Sequence, residues 1–419
     1  MMRGVKPISG YQFAAFRIAL GLYLVQHFLL LIPWAPELFS RDGLLPDATL
    51  NFTHGVLPNP LEWWDTPAVA TGFVVVMLVL SIALTLGVFR RTACLLLWYG
   101  WACLFGRNNL ISNPSIPYIG LIFLLMTLVP LGEPLALRRR RDAGDAGHWH
   151  FPWMIFFAAW AVMAVGYTFS GLDKLLNSPS WQDGTAIVHL VHNPLARPGP
   201  LRDLFLLLPE WVHKGMTWSA LGLEVLFLPL CLHRWTRLFA WAAMLGMHLG
   251  ILAVVDFADL TFGMVMVHLF TFDPAWFPAR RTKRGRSVVF FDGVCALCHG
   301  TMTRLIDEDR ERILHFAPLQ GESFAALREA VTLPASLDSV IYVRDHGTDE
   351  PRVFVRSDAI LQIARDLGGF WRVVSWARII PRPLRNWLYD GIAAHRYRWF
   401  GQYEACRLPT PQEREQLLP

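Results

Sequence analysis

Asp292-Gly-Val-Cys295-Ala-Leu-Cys298 places two thiols three residues apart, directly after the apolar run Val288-Val-Phe-Phe291. Sulfurs at that spacing can exchange electrons with a disulfide. The β-branched and aromatic run reads as a buried strand, Gly293 as a turn and Ala296 onward as a helix. Cys295 then stands at a helix N-terminus, where unpaired N–H groups and the dipole favour thiolate over thiol. Cys298 falls one turn on, on the same face, placed to resolve a mixed disulfide. Asp292 is positioned to accept a proton or, as a turn or cap carboxylate, to orient the turn. A C-x-x-C pair is also half of a zinc site, which Cys406 with His299 or His315 would complete. Cys406 has two further readings, as a third redox thiol or as a buried bystander.

A second block with chemical potential is Tyr167-Thr-Phe-Ser-Gly171-Leu-Asp-Lys174, followed by Trp181-Gln-Asp-Gly184. A lysine in a poorly solvated pocket can act as a base near neutral pH. The alternative for Lys174 is an interfacial lysine that snorkels to the surface. Arg17, His27, Glu224, His248, Asp256, Asp259 and His268 lie in apolar surroundings, where ionisable residues are functional candidates or hold helices together in pairs. Arg17 and Glu224 are one such candidate pair. His189 and His192 have the i, i+3 spacing of metal ligands on a helix, with His213 nearby in sequence; surface or pocket-lining roles are the alternative.

The elements that position these residues belong to two kinds of chain. Of 419 residues, 54% are apolar and 17% charged. Soluble domains carry about 25% charged residues, so the composition points to a polytopic membrane protein with a more polar part attached. The 18 Trp fit interfacial belts or packing between helices. A net charge of +5, clustered in short loops, gives no support to nucleic-acid binding. Six cysteines are too few and too scattered for a disulfide scaffold, and Cys94, Cys103 and Cys231 read as small buried hydrophobes. The first eleven residues lead into a long span without a small-residue cleavage site, so no cleavable signal peptide is expected.

Eight hydrophobic segments are expected to span a bilayer: Tyr11–Ile32, Pro67–Val88, Thr92–Phe105, Ile116–Gly132, Pro152–Gly171, Met216–Leu232, Thr236–Val255 and Leu260–Phe272. Arg3 and Lys6, Arg90 and Arg91, Arg138 to Arg141, His233 to Arg237, and Arg280 to Arg286 then share one face. The opposite loop from Pro33 to Thr66 is acidic. The positive-inside rule therefore places both termini in the cytoplasm and the protein in the inner (plasma) membrane. In that compartment thiols are kept mostly reduced, which favours a reductant or redox sensor over a maker of structural disulfides.

Three regions follow: a transmembrane domain over 1–278, a basic linker over 279–286 and a soluble domain over 287–419. In the last, strands are expected at Val288–Phe291, Ile313–Phe316, Ser339–Arg344 and Arg352–Arg356. Helices are expected at Ala296–Asp307, Glu322–Ala330, Ser357–Leu367, Trp371–Arg378 and Pro383–Ala394. The order βαβαββα, with the dithiol at the first strand–helix junction, predicts a thioredoxin-like α/β domain.

The dithiol segment, His315-Phe-Ala-Pro-Leu-Gln320, Leu337-Asp-Ser-Val340, Val355-Arg-Ser-Asp358, Arg382-Pro-Leu-Arg385 and Tyr397-Arg-Trp-Phe-Gly401 together resemble the DCC family. These thioredoxin-like proteins are named for Asp-x-x-Cys-x-x-Cys and regarded as thiol–disulfide oxidoreductases. The resemblance implies Cys295 as attacking thiolate and Cys298 as resolving thiol, with a thiol or disulfide protein or a small thiol as partner. Arg356, Ser357 and Asp358 read as a strand end and helix cap. A proline of the thioredoxin cis type is missing before the strand facing the dithiol, the nearest being Pro334.

The Tyr167–Gly184 block resembles the HTTM domain, the membrane region shared with vitamin K-dependent gamma-carboxylases, over roughly Tyr11 to Pro274. The resemblance implies Lys174 as the base acting on a hydroquinone. A histidine of those carboxylases is absent at Asn113-Pro114-Ser115, and their large lumenal region is replaced by the dithiol domain. Polypeptide carboxylation is therefore not expected; a quinol- or lipid-linked reaction at the same pocket stays open. The competing expectations are a redox-sensing binding or transport protein without turnover, and a structural zinc domain on a membrane scaffold.

Overall fold

The computed structural model describes residues 8–137, 149, 151–256, 258–282, 285–331, 339–404 and 414–419. Cys406, Pro334, Leu337, Asp338 and the Arg138–Arg141 run lie outside the described residues. The chain divides into two compact units, Pro7–Phe272 and Asp273–Pro419. The division comes before the expected boundary at 278, because Asp273–Arg280 is bonded into the second unit. Gly369 N–H donates to the Phe277 carbonyl at 2.6 Å and Arg280 N–H to the Asp366 carbonyl at 2.7 Å.

In the first unit each expected segment contains a helix. The main ones are Gly10–Leu31, Pro67–Leu86, Arg90–Arg107, Ser115–Leu128, Trp153–Asn177, Glu210–Val225, Arg234–Val254 and Ala258–Phe270. Among the described residues, four helical stretches are long and apolar enough to cross a membrane: Gly10–Phe39, Pro67–Leu86, Trp153–Asn177 and Arg234–Val254. The expectation of about eight spans is not supported: four helices among the described residues have the length and composition to cross a membrane. Arg90–Arg107 carries Arg90, Arg91 and Arg107. Glu210–Val225 carries Glu210, Lys214 and Glu224 and ends at Leu226. Ser115–Leu128 and Ala258–Phe270 are 14 and 13 residues long, about 20 Å of helix against a hydrocarbon core of about 30 Å.

The outer surface of this unit is apolar where a soluble bundle would be polar. Leu30 is 65% exposed and Phe169 72%, with Val76, Val79, Phe157 and Phe239 also exposed. Polar groups instead turn inward. Arg17 donates to the carbonyls of Leu84, Thr85 and Leu135 and lies 3.5 Å from Glu133. The expected Arg17–Glu224 pair is not formed. Arg90 donates to Glu133 at 2.8 Å and to the carbonyls of Met126, Val129 and Pro130. These bonds satisfy carbonyls left open at helix ends.

The second unit is built on a mixed sheet. Strands β1 (Arg286–Phe291), β2 (Leu314–Pro318), β3 (Ile341–His346) and β4 (Arg352–Val355) lie in the order β2-β1-β3-β4. β1 and β2 are parallel, and β3 is antiparallel to both β1 and β4. β1 is central, so alternation along it fills two cores. Val289 and Phe291 pack with Met302, Phe316 and Ile363, while Val288 and Phe290 pack with Leu327, Ile341 and Val343. Helices Ala296–Glu308, Glu322–Ala330 and Arg356–Leu367 follow β1, β2 and β4, which gives the predicted βαβαββα order.

The departures are local. β3 starts later than expected because Val340 N–H donates to Tyr389 Oη at 2.9 Å instead of joining the ladder. The helix expected at Trp371–Arg378 is a helix at Gly369–Val374 followed by a 3-10 turn at Ser375–Ile379. Ser375 Oγ donates to the Arg372 carbonyl at 2.7 Å, a side-chain bond that competes with helix continuation. The last helix runs over Arg382–Phe400 and is ended by Gly401 at φ +89°, a left-handed conformation that glycine adopts readily.

Candidate functional site

The strand–turn–helix junction after β1 gathers the sulfurs and a carboxylate. Cys295 is the N-cap of Ala296–Glu308, and its Sγ accepts the Cys298 N–H at 3.3 Å. An N-cap position offers backbone N–H donors to the side chain that occupies it. The donor atoms of Asp292, Cys295 and Cys298 all lie within 4.8 Å of one another. Both thiols are free. Cys295 is fully buried at 0% exposure, and Cys298 is half-buried. An attacking thiolate is ordinarily partly exposed, so the position of Cys295 agrees with its expected role and its burial does not.

Asp292 is the hub of the site. It accepts the Tyr397 hydroxyl at 2.5 Å, the Gln320 amide at 3.1 Å, the Val294 N–H at 3.2 Å and Arg396 Nη2 at 3.3 Å. Burial pushes its carboxyl up, but these bonds, led by that from Tyr397, outweigh it and hold it below the ordinary aspartate value. Burial also pushes the Cys298 thiol well up, reinforced by the adjacent Cys295 sulfur and the Asp292 charge. Cys298 is therefore kept as a thiol until something removes its proton, and Asp292 is the nearby carboxylate.

A clasp joins the Val355–Asp358 and Arg382–Arg385 blocks. Asp358 accepts from Arg382 at 2.9 Å and from Arg385 at 2.9 Å, and Ser357 donates to Asn386 Oδ1 at 2.5 Å. The clasp docks Arg382–Phe400, whose far end carries Arg396 and Tyr397 to Asp292. Ser357 and Asp358 thus act as supports in the first turn of Arg356–Leu367; the expected side-chain cap is not formed, because Val355 is the N-cap, and Arg356 lies 3.5 Å from Asp390. Arg396 and Tyr397 had no assigned role in the sequence. Their signal was a block that follows the others in order, without a partner that local spacing could name.

Asp292, Cys295 and Cys298 form a group that could hold a metal ion, and Cys406, the third sulfur of the expected zinc site, lies outside the described residues. Neither His299 nor His315 contributes a ring nitrogen to the Asp292–Cys295–Cys298 group. Among the described residues no peptide bond is cis.

Tyr397→Phe removes one of the bonds that depress the Asp292 carboxyl. Because the folded value lies below the unfolded one, Asp292 adds stability that is full above about pH 3.8 and is lost as pH falls through the lower folded value. The variant should lose about 1.5–3 kcal/mol near neutrality and shift its acid unfolding limb upward. Denaturant melts at a series of pH values check this; superimposable limbs would remove Tyr397 from the hub.

In the helical unit Lys174 lies in the last turn of Trp153–Asn177. A side chain at Gly171 would meet Val225 N and Glu224 Cβ at 2.6 and 2.8 Å, so glycine lets the two helices touch there. Lys174 Nζ consequently donates to both Glu224 oxygens at 2.6 Å. Ser170 Oγ donates to the same carboxylate at 3.4 Å, and the Trp181 ring centroid is 4.5 Å from Nζ. Lys174 is thus paired with Glu224, with the Trp181 ring beside it.

The remaining candidates are dispersed. Tyr167 Oη and His248 Nε2 are hydrogen bonded at 2.7 Å, with the His268 ring 5.7 Å from that of His248. His27 pairs with Asp259 at 2.8 Å and Asp256 with Arg197 at 3.3 Å. His192 Nδ1 bonds the Val188 carbonyl and His213 Nε2 that of Phe205. Neither these two nor His189 joins a metal-binding cluster among the described residues.

Comparison with known proteins bears on the dithiol unit. Residues 289–402 match the family described as DCC1-like thiol-disulfide oxidoreductase. An uncharacterised protein of Bacillus subtilis (strain 168), YuxK, is 35% identical over 133 residues, 32% of this chain and 93% of the relative. A chloroplastic DCC family protein of Arabidopsis thaliana is 31% identical over 125 residues, 29% of this chain and 70% of the relative. No solved structure matches the chain. With its Cys295–Cys298 pair in the matched residues, the chain belongs to the DCC family of thiol-disulfide oxidoreductase-like proteins.

Proposed function

We propose that the C-terminal unit is a thioredoxin-like domain that exchanges electrons with a disulfide or thiol partner through Cys295 and Cys298. The observation that carries this reading is the approach of Asp292, Cys295 and Cys298 to within 4.8 Å of one another. The sheet order with β3 reversed supports the thioredoxin-like assignment. Cys295 attacks, because its sulfur receives the helix N–H. Cys298 resolves once it has lost its proton, beside Asp292, which is held in place by its bonds to Tyr397, Gln320 and Arg396. The test is steady-state reduction of a disulfide peptide by dithiothreitol with the full-length protein in detergent. Acceleration over the uncatalysed rate is expected; no acceleration sinks the reading.

The helical unit, on this proposal, is an HTTM-like multi-pass membrane domain in an inner (plasma) membrane, with both termini cytoplasmic. Its exposed apolar side chains support contact with lipid. Lys174, sheltered beside Trp181, would act on a quinol or other lipophilic substrate. The residues present fit a hydroxyl-bearing aromatic headgroup: an indole face, a donor on Lys174 and an acceptor on Glu224. A quinone would supply two-electron redox chemistry when bound. For Lys174 to act as a base, its contact with Glu224 must open, and Glu224 is then the nearest acceptor for its proton. Lys174→Ala should weaken binding of a short-chain quinone by at least about tenfold, the loss of one charge-assisted hydrogen bond. Quenching of tryptophan fluorescence reads this, and equal affinities would exclude the site.

A further inference from the structure

Cys295 is the sulfur best placed to react, yet it has no exposed surface. What covers part of it is the chain's own backbone. Gly401 ends the last helix with φ +89° and turns the chain back across the dithiol. Ala296 N–H donates to the Gly401 carbonyl at 3.3 Å, and Tyr403 N–H donates to the Val294 carbonyl at 2.8 Å. Cys295 and Gln402 are thereby paired as an antiparallel bridge. The Tyr403 ring stands edge-on to His299, with centroids 6.0 Å apart. Gly401, Gln402, Tyr403 and Glu404 are all exposed on their outer side. Among the described residues the strap meets the dithiol turn through two backbone hydrogen bonds and a ring contact.

We propose that the Val294–Ala296 backbone is a docking edge for the extended polypeptide that carries the disulfide to be reduced, and that Gly401–Tyr403 is the chain's own occupant of that edge. The proposal rests on the thiol–disulfide exchange reading above. A substrate strand takes over the Val294 carbonyl and Ala296 N–H, the pairing used in strand addition, and displaces the strap. The Cys295 thiolate then attacks one sulfur of the substrate disulfide. The S–S bond breaks, a Cys295 mixed disulfide forms, and the other substrate sulfur leaves as a thiolate. Cys298, having lost its proton, attacks Cys295 Sγ and releases the second substrate sulfur. The substrate gains two electrons and this chain becomes the Cys295–Cys298 disulfide. Pairing through backbone groups makes the edge selective for extended chain over small disulfides.

Tyr403→Pro tests this in the full-length protein, because proline cannot donate to the Val294 carbonyl and Tyr403 lies outside the helices and sheet. Labelling of Cys295 by iodoacetamide, followed by mass spectrometry, should rise by about fivefold, the population change for one ordinary hydrogen bond. Tyr403→Ala, which keeps the N–H, should label Cys295 more slowly than Tyr403→Pro. In a Cys298→Ser background, a disulfide-bearing peptide should form the mixed disulfide faster than the same peptide N-methylated along its backbone. An unchanged Cys295 rate in Tyr403→Pro, or equal rates for the two peptides, overturns the docking edge while leaving the exchange reading intact. A wild-type protein that never interconverts between dithiol and disulfide overturns both.

Discussion

Cys295→Ser should abolish disulfide reduction by the full-length protein, by roughly a thousandfold or more, as removal of a covalent nucleophile does in other enzymes. Cys298→Ser should be as inactive in turnover but different in what accumulates. It retains the sulfur that accepts the helix N–H, so it should stop at a stable mixed disulfide with the substrate. Cys295→Ser should trap little or none, because burial, with the Asp292 charge, still holds the remaining thiol above its ordinary value. Non-reducing gels of the two variants after exposure to a disulfide peptide separate these outcomes. Trapping by Cys295→Ser alone would reverse the roles of the two sulfurs and make the half-buried Cys298 the attacker.

The second large effect lies far from the thiols. Glu133→Ala should destabilise the helical unit by about 3–5 kcal/mol, the cost of stranding a buried charge. Glu133 Oε1 is 2.8 Å from Arg90 Nε and 3.5 Å from Arg17 Nε, and the three side chains are no more than 2% exposed. Removing the carboxylate leaves two guanidinium groups facing one another with only carbonyl oxygens as partners. Glu133→Gln keeps an acceptor and should lose less. Thermal unfolding in detergent measures both. Equal melting temperatures for wild type and Glu133→Ala would show that the carbonyl contacts alone satisfy the arginines.

That network shows where sequence reading stops. Arg90 counts as a loop charge in a positive-inside argument, but the folded chain buries it. Glu133 falls just beyond an apolar segment and carries no local signal. Its two partners are 43 and 116 residues away along the chain, a separation that periodicity does not encode. The same holds for Lys174 and Glu224. Each was conspicuous as an ionisable group among apolar residues, but the Gly171 close approach that pairs them is a three-dimensional fact.

The dithiol unit was far more legible. Its first strand is written in the run Val288–Phe291, its turn in Gly293 and its helix in the residues that follow. These are local signals, and the helix at Glu322–Ala330 matches the expected bounds. The convergence of Gln320, Arg396 and Tyr397 on Asp292 was visible only as blocks in order. The strap over Cys295 was not visible at all, because Gly401 reads equally well as a simple helix stop.

The central claim is that Cys295 and Cys298 form a reversible redox pair. It is tested most directly by equilibrating the full-length protein across glutathione buffers and weighing the peptide that contains both cysteines. The account predicts a single transition to a species two hydrogens lighter, reversed by dithiothreitol and absent from Cys295→Ser and Cys298→Ser. A peptide that keeps both thiols across the whole range, with stoichiometric zinc bound to the protein and lost in Cys298→Ser, would contradict it.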